Sequence, residues 1–365
     1  MYIHLPWCEK QCPYCDFNIS TNKKDGDEDM LISAILRDLE ESKEYISDRK
    51  FVSVYFGGGT PSLTKSKNIE KILLVLTTNK MLVKDCEISF EFNPKEVDAS
   101  YLADLSNIGI NRASIGIQSF DNQSLKSLER NHDAAEAFKA IEIISSIKTI
   151  KTSIDLIYGV MGQTLDSFEK DIKTFCSQDI SHLSLYQLTI EPNTIFYKKE
   201  LKTPKDTEIE KMESSAKILL NRSNFYQYEV SSWTKNQAFS KHNMNYWMYG
   251  DFLGLGPGAH SKITSKNSIT RMVKLKQVNS YIKNPTKVSK NKISPDGYDI
   301  DLAMNILRLK DGITFDQLAK RNISLTESFL QKLKYGIASN LLEKNEIKAT
   351  DIGYKFLNDT VNIFS

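Results

Sequence analysis

Three of the chain's five cysteines, Cys8, Cys12 and Cys15, lie within eight residues, whereas Cys86 and Cys176 stand alone. Whatever this chain folds into must bring three thiols together close to its first strand or helix. The odd total, and a start with no basic segment ahead of an apolar stretch, point to a reducing compartment. The expected location is the cytoplasm, where clustered thiols more often bind metal or carry out redox chemistry than pair. Cys86 and Cys176 read as small apolar residues of core elements.

At 365 residues the chain has room for about two domains and a core that needs no covalent staples. From residue 51 onward, short apolar runs alternate with helical periods. Strands are expected at Phe51–Phe56, Glu87–Phe92, Arg112–Gln118, Thr152–Ile157 and His182–Leu188, with weaker ones at Gln227–Ser231 and Phe252–Leu255. Helical patterns cover Leu31–Tyr45, Ile69–Thr77, Ala134–Ile147, Leu165–Phe175 and Glu208–Asn221. This rhythm implies βαβ units and a parallel sheet, an α/β fold. Six or so units would close partly or fully into a barrel, with chemistry at the C-terminal ends of its strands.

The rhythm stops after Ser261. The segment 262–292 is rich in Lys, Ser and Asn, and Tyr298–Leu307, Phe315–Lys320 and Leu325–Asn340 then read as helices before a small hairpin near Ile347–Asp351. The expectation is a core domain over 1–261 and a smaller, mainly helical, winged-helix-like domain over 262–365. A formal net charge of +2 argues against a broad nucleic-acid footprint. No apolar run reaches the roughly 18 residues of a membrane span.

Cys8-x-x-x-Cys12-x-x-Cys15 can hold three irons of a [4Fe–4S] cluster, for which four cysteines are the usual number. One iron would stay open to an exogenous chelator, and the amino and carboxylate groups of S-adenosylmethionine suit that vacancy. An electron passed through such a cluster can split the sulfonium C–S bond and release a 5′-deoxyadenosyl radical. Tyr14 would pack near the adenine. The alternative is a structural zinc knot with His4 or a distant residue as fourth ligand. After the strand at 51–56 comes Gly57-Gly58-Gly59-Thr60-Pro61-Ser62, where glycines allow close backbone approach to a ligand. It lacks the pattern of a phosphate-binding loop.

The stretches YIHLPWCEKQCPYCDFN, FGGGTPS, ISFEFNP, ASIGIQSFD, SIDLIYG and LGLGPGAHS resemble, in order, those of the radical S-adenosylmethionine superfamily. Within it the chain is most similar to oxygen-independent coproporphyrinogen III oxidases and their heme-chaperone relatives of the HemW type. The resemblance implies a partial (β/α)6 barrel with a smaller helical C-terminal domain. It further implies that Cys8, Cys12 and Cys15 hold the cluster, with Tyr2 near the methionine moiety. Gly58, Gly59 and Thr60 would receive the amino end through backbone groups, and Glu91 would meet the ribose or amino group. Gln118, Arg130 and Asp155 take the remaining polar contact positions. Relatives carry Leu-Gly-Arg where this chain has Leu128-Glu129-Arg130, which puts the geometry of that turn in question.

Two features separate oxidase from chaperone. The oxidases carry a fourth cysteine two positions after the third, where this chain has Phe17. The segment His242-Asn243-Met244-Asn245-Tyr246-Trp247 matches the H-N-x-x-Y-W heme motif of the chaperone group. His and Tyr are known iron ligands, and on a helix His242 and Tyr246 would share a face, with Trp247 offering a plane to a porphyrin. The resemblance thus favours a heme chaperone that passes heme to an acceptor such as a membrane respiratory protein and draws on an electron donor for the cluster. Oxidative decarboxylation of coproporphyrinogen III is the rival reading. No catalytic role is expected for His132 or His260.

Overall fold

The computed structural model describes residues 1–265 and 268–365. Nine strands form one sheet: β1 (Tyr2–Leu5), β2 (Phe51–Gly58), β3 (Leu82–Phe92), β4 (Arg112–Gln118), β5 (Lys151–Tyr158), β6 (His182–Gln187), β7 (Tyr226–Glu229), β8 (Ser232–Thr234) and β9 (Gly254–Leu255). Their order is β7-β8-β6-β5-β4-β3-β2-β1-β9. Strands β1 to β6 pair in parallel, each with the next in sequence. The sheet does not close. Its β1 edge is taken by β9 and its β6 edge by antiparallel β8, which leaves a partial barrel of six parallel strands.

The strands alternate in a way that a solid parallel core would not. Val54 and Phe56, Ile88, Phe90 and Phe92, Ala113, Ile115 and Ile117, and Ile154 and Leu156 are buried in the apolar cluster shared with the helices. The intervening Tyr55, Ser89, Glu91, Ser114, Gly116, Ser153 and Asp155 line a cavity instead. Polar residues at period 2 on parallel strands therefore mark a lumen that holds something other than side chains.

Crossover helices follow the alternation: Asp27–Glu41, Ser66–Thr78, Ala99–Asn107, Ala134–Ser146, Leu165–Cys176 and Asp206–Arg222. Side chains fix several of their starts, as where Asp133 and Glu136 form a reciprocal capping box. Cys86 is buried and Cys176 packs against the same core, as expected.

Three parts depart from the sequence reading. The first strand is β1, ahead of Phe51, and it delivers the chain directly into the cysteine loop. Of the residues expected as one strand over 227–231, only 227–229 are in β7; 230–231 turn the chain into the antiparallel β8. The Lys- and Ser-rich segment forms an antiparallel sheet of β10 (His260–Ser265), β11 (Ser268–Lys274) and β12 (Val288–Lys292), so a strand runs across position 261. Two of its lysines, Lys262 and Lys274, are buried, paired with Asp251 at 3.0 Å and Asp38 at 2.5 Å. Tyr281 also donates to Asp38 at 2.7 Å, tying this sheet to the helix Asp27–Glu41.

The C-terminal helices Pro295–Ile306, Phe315–Lys320, Glu327–Ala338, Asp351–Lys355 and Leu357–Asn362 enclose a second apolar cluster around Ile306, Leu307, Phe329, Leu333 and Phe364. Short bridges at Ile313–Ile347 and Leu342–Ala349 stand where the hairpin was expected. The helix Lys241–Trp247 carries Met244 and Trp247 against this cluster. No described helix is long and apolar enough to cross a membrane.

Candidate functional site

The loop after β1 closes on itself through Cys8 N–H to Ser20 O at 3.0 Å and Ser20 N–H to Pro6 O at 2.8 Å. A turn from Cys15 N–H to Cys12 O at 3.0 Å brings the three thiols to one side. All three are free, half-buried and line the same cavity of about 380 Å³. Burial pushes the free Cys15 thiol up to about 11, and a bound metal would reverse this by taking the thiolate.

Beside them lies the glycine loop. Gly59 N–H donates to Leu5 O at 2.8 Å, Thr60 N–H to Trp7 O at 2.7 Å, and Gly58 N–H to Glu91 Oε2 at 3.3 Å. A Cβ on Gly59 would stand 2.6 Å from Trp7 O, so only glycine lets the two loops approach this closely. With these N–H groups spent, carbonyl oxygens are what the loop offers an amino end. Acceptors suit an ammonium.

Glu91 accepts from the Tyr55 hydroxyl at 2.7 Å, and burial pushes its carboxyl up to about 7 against that bond. Asp155 accepts from Ser114 Oγ at 3.1 and 3.0 Å, and burial lifts it to about 6. Two half-buried carboxyls that need compensation suit a cationic ligand. Gln118 closes β4 in a left-handed conformation (φ +67°), with a register shift before it, and lines the cavity. Arg130 holds Cys12 Sγ and Tyr14 Oη, each at 3.3 Å, together with Gly116 O at 3.2 Å and Asn93 Oδ1.

The glycine missing before Arg130 is accommodated. Glu129 takes φ +51° itself, and Lys199 and Lys10 face its carboxylate at 3.1 and 3.8 Å. His132 hydrogen-bonds Ile117 O at 3.0 Å.

Ten of the fourteen expected site residues line one cavity: Cys8, Cys12, Cys15, Gly58, Gly59, Thr60, Glu91, Gln118, Arg130 and Asp155. Tyr2, His242, Tyr246 and Trp247 do not. They build an aromatic layer toward the N-terminal ends of the strands. His242, 4% exposed, stacks on Tyr55 at 4.6 Å with 20° between the rings, and Tyr246 meets it edge-on at 4.8 Å. Tyr2 lies beside both rings, 6.2 Å from Tyr55 and 6.4 Å from His242, and its hydroxyl meets His4 Nδ1 at 3.0 Å. Trp247 lies under the Arg308 guanidinium at 4.2 Å. The reason is parity: Ser53 and Tyr55 share the inward face of β2, and His242 fills the space below Tyr55. Tyr55, Asn93 and Ser114 were missed in sequence, although inward parity with Gly57, Glu91 and Gln118 marks all three.

Among the described residues no three His, Cys, Asp or Glu side chains converge on a single metal ion. A zinc site needs its donors within roughly 2.0–2.3 Å of one point, whereas a cubane takes one thiolate per iron. His4 is also committed, with Nδ1 at Tyr2 Oη and Nε2 at Asn18 O, 2.8 Å away. Three separated thiols, a cationic-ligand pocket and a glycine cradle fit a [4Fe–4S] cluster with adenosylmethionine. When bound, that pair supplies one-electron cleavage of the sulfonium C–S bond.

The sequence model of the radical SAM superfamily matches residues 2–175. The chain is 37% identical over its full length to a heme chaperone HemW of Buchnera aphidicola, covering 97% of that protein. It is 32% identical to the heme chaperone HemW of Escherichia coli, again over its full length and 97% of that chain. The chain belongs to the HemW family of radical SAM proteins.

Membership in that superfamily implies a [4Fe–4S] cluster and S-adenosylmethionine. The fold agrees: coproporphyrinogen III oxidase (HemN) from Escherichia coli superposes with a TM-score of 0.82, covering 100% of this chain and 89% of that one, at 20% identity. At that identity the likeness concerns the fold alone. This chain and HemN thus share a scaffold.

Proposed function

We propose that this protein is a cytoplasmic heme chaperone: it binds heme and passes it to an acceptor protein, with a cluster and adenosylmethionine held in the barrel. Full-length similarity to curated HemW heme chaperones carries the reading. Phe17 supports it. Its ring is 63% exposed at the wall shared with the cysteines, and a phenyl group there can neither ligate iron nor move a proton. The acceptor would be a respiratory protein at the membrane, and a reductant would serve the cluster.

Cys8, Cys12 and Cys15 would hold the cluster, and Glu91, Gln118, Arg130, Asp155 and the carbonyls of Gly58, Gly59 and Thr60 would orient adenosylmethionine. Heme ligation by His242 requires the helix Lys241–Trp247 to leave its place, because the His242 ring is buried against Tyr55 and Tyr246 here; Tyr246 would be the other ligand candidate and Trp247 a plane for the porphyrin.

The anaerobic test uses reduced, reconstituted protein. Heme loaded onto it should move to an added apo heme protein, while coproporphyrinogen III with adenosylmethionine should yield no protoporphyrinogen IX. Porphyrin product released together with 5′-deoxyadenosine would establish the oxidase reading instead.

A further inference from the structure

The helix Lys241–Trp247 is fastened to two barrel strands at once. Its first N–H groups, on Lys241 and His242, donate to the two carboxylate oxygens of Glu87 on β3 at 3.1 and 3.0 Å. The His242 ring meets Ser53 Oγ on β2 at 3.0 Å through Nδ1. Above these anchors, in the direction of the cysteine loop, β2 presents Tyr55 and β3 presents Glu91. The stacked face of His242 supports the Tyr55 ring, and the Tyr55 hydroxyl holds Glu91 Oε1 at 2.7 Å. One continuous set of contacts therefore runs from the H-N-x-x-Y-W helix to the carboxylate beside the glycine loop.

We infer that His242 is a positioning residue for the adenosylmethionine site, acting through Tyr55 to hold Glu91 toward the ligand. A plain core residue would fill the space, but a stack within 20° of parallel fixes the plane in which the Tyr55 hydroxyl points. Glu91 has one other partner, the Gly58 N–H at 3.3 Å, so Tyr55 is the stronger restraint on its orientation. The imidazole serves because it combines a flat face for Tyr55 with an in-plane nitrogen for Ser53. Tyr246 packs against the same imidazole at 4.8 Å, its ring near perpendicular. This inference rests on adenosylmethionine as the cavity ligand and is independent of heme.

Equilibrium binding of labelled adenosylmethionine to cluster-reconstituted protein tests it, with iron content and melting temperature measured alongside. Tyr55→Phe removes only the hydroxyl and should weaken binding about tenfold, the scale of one hydrogen bond to a charged group. His242→Ala should weaken it similarly, and the double variant should be no worse than either single one, as expected for residues acting in series. His242→Phe keeps the flat ring and should recover most of the affinity. Neither His242→Ala nor Tyr55→Phe should matter further in a Glu91→Gln background. Additive effects, or wild-type affinity in folded Tyr55→Phe and His242→Ala, would overturn the brace. Absence of binding to wild-type protein would overturn it together with the ligand assignment. Should His242→Ala fail to fold, Tyr55→Phe and His242→Phe carry the same decision.

Discussion

Nη1 of Arg130 stands 3.3 Å from Sγ of Cys12, joining the turn after β4 to the cysteine loop across the mouth of the cavity. Tyr14, Asn93 and the Gly116 carbonyl share the same guanidinium, so its removal strands several part-buried acceptors. Arg130→Ala should cost about 2–4 kcal/mol of stability. Arg130→Lys should recover less than half of that, because an ammonium lacks the planar fork. Chemical unfolding of the metal-free protein measures the cost; a loss under about 0.5 kcal/mol would show that these contacts are not maintained in solution.

Glu129 occupies a left-handed conformation that costs a non-glycine residue about 1 kcal/mol. Its pairs with Lys10 and Lys199 are exposed and salt-sensitive. Glu129→Gly should therefore raise the melting temperature in high salt, with a smaller gain in low salt. A lower melting temperature in both conditions would mean that the lysine pairs outweigh the backbone strain.

Desolvation raises the half-buried carboxyls Glu91 and Asp155 to about 7 and about 6 in the free protein. A sulfonium cation favours their charged forms, so adenosylmethionine affinity should rise with pH through this window, by up to about one decade per pH unit for each proton released. For the free chain the sign is opposite. The Glu91 pKa is raised from 4.5 to about 7, so its contribution to stability is full below pH 4.5 and is lost as pH rises through 7. Glu91→Gln should flatten both profiles. A pH-independent affinity between 5.5 and 8 would contradict the assignment.

Gly59 is pressed against the backbone of the cysteine loop, and a methyl group there would meet Trp7 O at 2.6 Å and Pro6 O at 2.7 Å. Because these neighbours are backbone atoms, Gly59→Ala must move one loop or the other, at about 1–3 kcal/mol. The displaced loop should also retain less iron after reconstitution, measured as iron and labile sulfide per chain. Full iron content with an unchanged melting temperature would show that the loops have room to spare.

Strands β2 to β6 were legible because each carries several apolar residues in phase and is followed by a helical period. Tyr2–Leu5 was not: four residues give no period, and its partners lie some fifty and two hundred fifty positions away in β2 and β9. The β10–β12 sheet was hidden by Lys262 and Lys274, whose burial depends on Asp251 and Asp38 from distant segments. Resemblance brought ten ligand positions to one cavity. It did not foresee the place of His242, since neither its spacing nor its motif shows that Tyr55 covers the ring.

Anaerobic titration of the reconstituted protein with heme, followed through the Soret band, tests the chaperone reading most directly. Saturable binding should give a distinct, shifted band at a fixed heme-to-protein ratio. If His242 stays in its stack, His242→Ala should leave that band in place, and if the helix opens to ligate iron the band should weaken. Absorbance that rises in proportion to added heme without saturation, as for free heme in buffer, would contradict heme binding and with it the account of this protein as a heme chaperone.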